Sequence, residues 1–82
     1  MNKYTCEGMR PVLAESFTEA AQVFAARMAR KNYGKKSNVG ALRLDSHPPD
    51  HSYAIFDAFI GYRSGLNETT GHNVSLHVYR KD

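Results

Sequence analysis

The sequence has no tryptophan, one cysteine and three prolines among 82 residues. With Cys6 alone, the chain cannot form an intramolecular disulfide, the usual staple of small secreted domains. No apolar run approaches the ~20 residues that a membrane span needs. The opening Met1-Asn2-Lys3-Tyr4-Thr5-Cys6 lacks the apolar stretch of a signal peptide. The chain therefore reads as a soluble protein of the cytoplasm. In that compartment the triplets Asn67-Glu68-Thr69 and Asn73-Val74-Ser75 carry no glycosylation signal. The length excludes nucleotide-binding α/β folds and β/α barrels, and fits a single domain over residues 1–82. Hydrophobic residues at 41% and charged residues at 23% place the chain among ordinary globular proteins rather than disordered ones.

What is present begins with a helix. Ser16-Phe17-Thr18-Glu19 fits a capping box, in which the Ser16 hydroxyl accepts from the Glu19 amide. No Gly or Pro interrupts 20–32, and Ala is the commonest residue there. Gly34 suits the left-handed position that ends a helix. The pattern predicts a helix over 17–33, with Phe17, Ala20, Ala21, Phe24 and Met28 on one stripe. Around it four strands are expected. The first runs from Tyr4 to Met9 and extends past Pro11 to Ala14. Gly8 and Pro11 make it an edge or bulged strand. The second is 39–44. The third is 53–62, apolar on both faces and so interior to the sheet. The fourth is 74–80, alternating Val74, Leu76 and Val78 inward with Ser75, His77 and Tyr79 outward. Asp45 to Asp50 is a turn, and Arg63 to His72 is a polar loop. The order β-α-β-β-β predicts an α+β fold, one helix packed on an antiparallel sheet of about four strands. The stripe of Phe17, Phe24 and Met28 is expected to meet Leu42, Leu44, Phe56, Ile60, Leu76 and Val78. So small a core leaves a narrow stability margin, and homodimerisation through a strand edge or the open sheet face would widen it.

Residues that could carry chemistry are few. His47 and His51 have a His-x3-His spacing, but Pro48-Pro49 between them precludes a shared helical face, and no further pair completes four ligands. A polar turn is the better reading. His72 reads as a loop residue and His77 as a solvent-facing strand residue. Cys6 has no recognisable base, which a catalytic thiol requires. Asp57, alone in an apolar strand, reads as a partly solvated residue or a partner for an Arg rather than a catalytic acid. Gly61-Tyr62-Arg63-Ser64-Gly65 has neither the Lys nor the spacing of a phosphate-binding loop. A non-enzymatic protein without metal or cofactor is expected.

Charge is distributed unevenly. The net is +3, yet no acidic residue lies between Glu19 and Asp45. That window holds six of the eleven basic residues, Arg27, Arg30, Lys31, Lys35, Lys36 and Arg43. The other five basic residues are outweighed by all eight acidic ones. On a helical wheel Arg27, Arg30 and Lys31 span about 100° beside the apolar stripe. Two or three cations at a helix C-terminus would complement its macrodipole. Six without interspersed Glu repel one another, which favours an anion-binding face. Its partner is expected to be an acidic protein surface, RNA or DNA. Tyr53, Tyr62 and Tyr79 could stack on bases, although no nucleic-acid recognition motif accompanies them.

Leu13-Ala14-Glu15-Ser16-Phe17-Thr18-Glu19-Ala20-Ala21, the basic helix end through Lys31, and Val39-Gly40-Ala41-Leu42-Arg43-Leu44 resemble small phage-encoded anti-CRISPR proteins directed against type I (Cascade) surveillance complexes. The resemblance covers about 30 of the 82 residues. It implies a non-enzymatic inhibitor in the bacterial cytoplasm that binds Cas proteins and blocks target-DNA binding. Arg27, Arg30, Lys31, Lys35, Lys36 and Arg43 would make the contact. The alternative is a small nucleic-acid-binding protein using the same basic patch. The order of elements is also similar to that of dodecin, a small flavin-binding oligomer, whose flavin-stacking Trp has no counterpart here.

Overall fold

The computed structural model describes residues 1–34, 36–50, 52–63 and 69–81. Among them the elements follow as β1 (Asn2–Cys6), β2 (Val12–Ala14), α1 (Phe17–Tyr33), β3 (Asn38–Ser46), β4 (Tyr53–Arg63) and β5 (Thr69–Lys81). The strands form one sheet in the order β2-β1-β5-β4-β3, antiparallel throughout. Helix α1 crosses one face of this sheet and touches all five strands. The expected α+β class holds, with five strands rather than four.

The extra strand comes from the N-terminal segment. It folds back on itself instead of continuing: the Met9 amide donates to the Cys6 carbonyl at 3.0 Å, and Gly8 takes φ 77°, a value that favours glycine. β1 is therefore interior, between β2 and β5, and the edge position falls to β2 behind Pro11. Pro11 removes one backbone donor just before an edge strand begins, where the loss is tolerated.

Helix α1 has the expected bounds. Ser16 is its N-cap, and its hydroxyl accepts from the Glu19 amide at 3.2 Å. At the other end the Gly34 amide donates to the Arg30 carbonyl, with Gly34 at φ 95°, ψ 177°. This is not the left-handed helical cap that was expected. It is an extended conformation of the mirror-image region, which is essentially reserved for glycine, and it ends the helix.

The buried face of α1 is mostly alanine: Ala20, Ala21, Ala25 and Ala29, with Phe24 as the one large residue. Small side chains let the helix axis approach the sheet closely, and Phe24 fills the space between the layers. Phe24, Phe56, Ile60, Leu76 and Val78 are the largest fully buried side chains. Phe17 and Met28 pack only at the margin. Leu44, expected in the core, is 47% exposed. It lies on β3, an edge strand with no outer neighbour, next to a register irregularity between Leu44 and Ser46.

The β4–β5 ladder runs in unbroken register from Tyr53↔Tyr79 to Arg63↔Thr69. β5 thus starts five residues earlier than expected, and His72 belongs to a strand rather than a loop. Gly71, which falls within the polar loop expected over Arg63 to His72, sits beneath the Phe59 ring. A methyl group at Gly71 would overlap that ring. An aromatic from the neighbouring strand replaces the side chain that glycine lacks, and the strand persists through it.

Candidate partner-binding groove

The basic residues do not form one surface. Arg27, Arg30 and Lys31 lie on the second half of α1, and Arg30 and Lys31 belong to its last turn. Lys36 lies in the connection to β3. Lys35 falls outside the described residues. Arg43 is elsewhere: strand alternation puts it on the sheet face away from α1, opposite Asp57 in register. The Arg43 and Asp57 side chains approach to 3.6 Å with exposures of 80% and 39%. An open pair of this kind is worth about 0–1 kcal/mol. Asp57 thus has the Arg partner that the sequence suggested as one of its roles.

Arg27 is anchored. Its guanidinium donates to the Arg10 carbonyl at 3.0 Å, which ties the β1–β2 turn to the helix and uses one of five donors. Arg27 and Arg30 also border a groove of about 520 Å³, lined by Gln22, Val23, Ala26, Ala29, Ser37, Asn38 and Val39 as well. Its apolar part is Val23, Ala26, Ala29 and Val39, and its charged part is the two arginines. Local structure builds it. The Gly34 turn returns the chain beside the helix, and Ser37 fixes that return by donating its amide (3.2 Å) and its hydroxyl (2.6 Å) to the Gly34 carbonyl. Sequence reasoning found the arginines but not the apolar wall. The available signal was Val23, an apolar residue off the main stripe.

An aromatic cluster lies at the same end of the molecule. The Tyr33 ring stacks on Tyr62 at 4.6 Å between centroids and on His72 at 6.0 Å. His72 Nε2 lies 2.8 Å from the Tyr62 hydroxyl. Tyr62 and His72 are diagonal neighbours across β4 and β5, and the last turn of α1 brings Tyr33 onto them. Of the three tyrosines proposed for stacking, Tyr62 is therefore already stacked within the protein. Tyr53 and Tyr79 pair with each other at 5.8 Å on the opposite sheet face.

Of the histidine pair at the β3–β4 turn, only His47 is among the described residues. His47 Nδ1 lies 3.1 Å from the Pro48 carbonyl, and His51 is outside the described residues. Asp50 accepts from the Ser52 amide and hydroxyl at 3.1 and 2.9 Å, a turn contact. Among the described residues no group of three or more His, Cys, Asp or Glu could hold a metal ion. Cys6 is buried, and that burial, with a smaller contribution from the Glu7 carboxylate, pushes its thiol above the ordinary value of 9.0. A protonated thiol in this position packs as a small hydrophobic side chain. No described helix is long and apolar enough to cross a membrane.

The chain matches no protein-family model, no curated protein and no solved structure. The functional reading therefore starts from the groove and its charges.

Proposed function

We propose that this protein is a non-enzymatic binding protein whose α1 groove takes an acidic protein surface. In the form that the sequence resemblance implies, the partner is the Cas assembly of a type I surveillance complex, and binding obstructs its target-DNA path. The observation that carries this reading is the groove's composition: an apolar wall of Val23, Ala26, Ala29 and Val39 beside Arg27 and Arg30. Protein interfaces combine an apolar centre with arginine in this way. A nucleic-acid backbone is held by phosphate contacts and gains little from an aliphatic wall. The favourable location of Arg30 and Lys31 at the negative end of the α1 dipole accounts for two of the cations but not for the wall next to them.

The alternative, direct binding of DNA or RNA by the same cations, makes a different prediction. It requires measurable affinity for free oligonucleotides, falling steeply and linearly in log–log form as salt rises. The protein-binding reading requires co-elution with a type I surveillance complex on gel filtration, and no salt-sensitive anisotropy change with free DNA or RNA. Tight, salt-sensitive binding of free nucleic acid without co-elution would replace this proposal by the alternative.

A further inference from the structure

We infer that the sheet face opposite α1 is a self-association surface, occupied by the same face of a second copy of this chain. This inference is independent of the groove, which lies on the other side of the sheet. The face carries Tyr53, Ile55, Asp57 and Phe59 from β4, Asn73, Ser75, His77 and Tyr79 from β5, and Leu13 from β2. Phe59 is 42%, Tyr79 45% and Leu13 63% exposed. A solvated face of an antiparallel sheet is polar at alternate positions, whereas three of these four outward positions on β4 are large and apolar. The Phe59 ring covers Gly71, and a Cβ placed on Gly40 of β3 would lie 3.3 Å from the Phe59 Cδ1.

The surface area points to the size of what is missing. A folded monomer of 9.2 kDa exposes about 4,900 Å² by the usual mass scaling, and this chain exposes 5653 Å². The excess of about 700 Å² approaches the ~800 Å² that each partner buries in a standard interface. The radius of gyration, 13.3 Å with extents of 45 × 22 × 18 Å against about 12 Å for a compact chain of this length, reflects elongation along the β4–β5 ladder. Among the described residues only one face of the sheet, the α1 face, has a covering layer. Five strands spaced ~4.8 Å apart offer a face of the required area to a second sheet ~10 Å away. The charges allow it. Asp57 and Arg43 already neutralise each other at 3.6 Å, and the like charges of Lys3 and Lys81, opposite one another in register, lie at the end of the sheet beside Leu13, away from Ile55 and Phe59. A two-fold arrangement repeats the same contact on both copies and closes.

Sedimentation equilibrium on the full chain over a micromolar range, with isotope-filtered NOE spectra of a mixed labelled and unlabelled sample, tests this directly. The expected result is twice the 9.2 kDa chain mass and intermolecular NOEs from Ile55, Phe59 and Tyr79. A Phe59→Lys variant that retains the native circular dichroism should weaken the dimer at least tenfold. A monomer throughout the range overturns the inference. So does a dimer whose intermolecular NOEs come from the β3 edge or from α1, and this outcome needs no variant to fold.

Discussion

Replacing Gly71 by Ala puts a methyl group where the Phe59 ring lies, so the ring must move. Phe59 is 42% exposed, and a phenylalanine presents about 200 Å². Slightly more than half is covered, roughly 100 Å², which at ~25 cal/mol per Å² sets a ceiling of about 2.5 kcal/mol on what displacement can cost. Against this, Ala in place of a strand glycine gains about 0.5–1 kcal/mol of backbone entropy. Gly71→Ala should therefore be destabilising by about 1 kcal/mol when Phe59 is present. In a Phe59→Ala background the same change should stabilise by about 0.5–1 kcal/mol. The coupling energy between the two sites is then about 1.5–2 kcal/mol. Urea denaturation of the four proteins of this cycle, followed by far-ultraviolet circular dichroism at one protein concentration, measures it. Additivity within ~0.5 kcal/mol would refute the claim that the ring substitutes for the missing side chain.

Other perturbations have equally definite outcomes. Ser16→Ala removes the acceptor for the Glu19 amide and should lower stability by about 1 kcal/mol in the same assay. Gly34→Ala forces a side chain into φ 95°, ψ 177° and should cost about 1–3 kcal/mol. The Cys6 thiol, buried and raised above 9.0, should react with a thiol reagent far more slowly in the folded chain than in urea. Because folding raises its pKa, the stability linked to this group is complete below 9.0 and is lost as pH climbs through the higher folded value. The unfolding free energy of wild type should therefore fall more steeply above pH 9 than that of Cys6→Ala.

The helix was legible because its signals are local. A capping Ser, an uninterrupted Ala-rich run and a glycine just past the end all lie within one short segment, and α1 has the bounds they imply. The β1–β2 hairpin was not, because β2 spans three residues, too few to show a period, and the fold back depends on Gly8 adopting a positive φ. The start of β5 was hidden for a different reason. Gly71 is tolerated there only through Phe59, a partner on another strand that no local pattern reveals. Charge counting along the chain located the basic helix end but joined Arg43 to it, since a linear window cannot see that strand alternation turns Arg43 to the opposite face. The groove's apolar wall arises where Val39 returns beside Val23 and Ala26, a juxtaposition set by the Gly34 turn and visible only in three dimensions.

The central claim, that Arg27 and Arg30 hold an acidic protein partner in the α1 groove, is tested most directly by titrating an Arg27→Glu/Arg30→Glu/Lys31→Glu variant against a type I surveillance complex by calorimetry. The variant loses the Arg27 contact to the Arg10 carbonyl, worth about 1 kcal/mol, and should remain folded by circular dichroism. The account predicts stoichiometric binding by wild type and no detectable binding by the folded variant. Undiminished binding by that variant, or no binding by wild type, would contradict it.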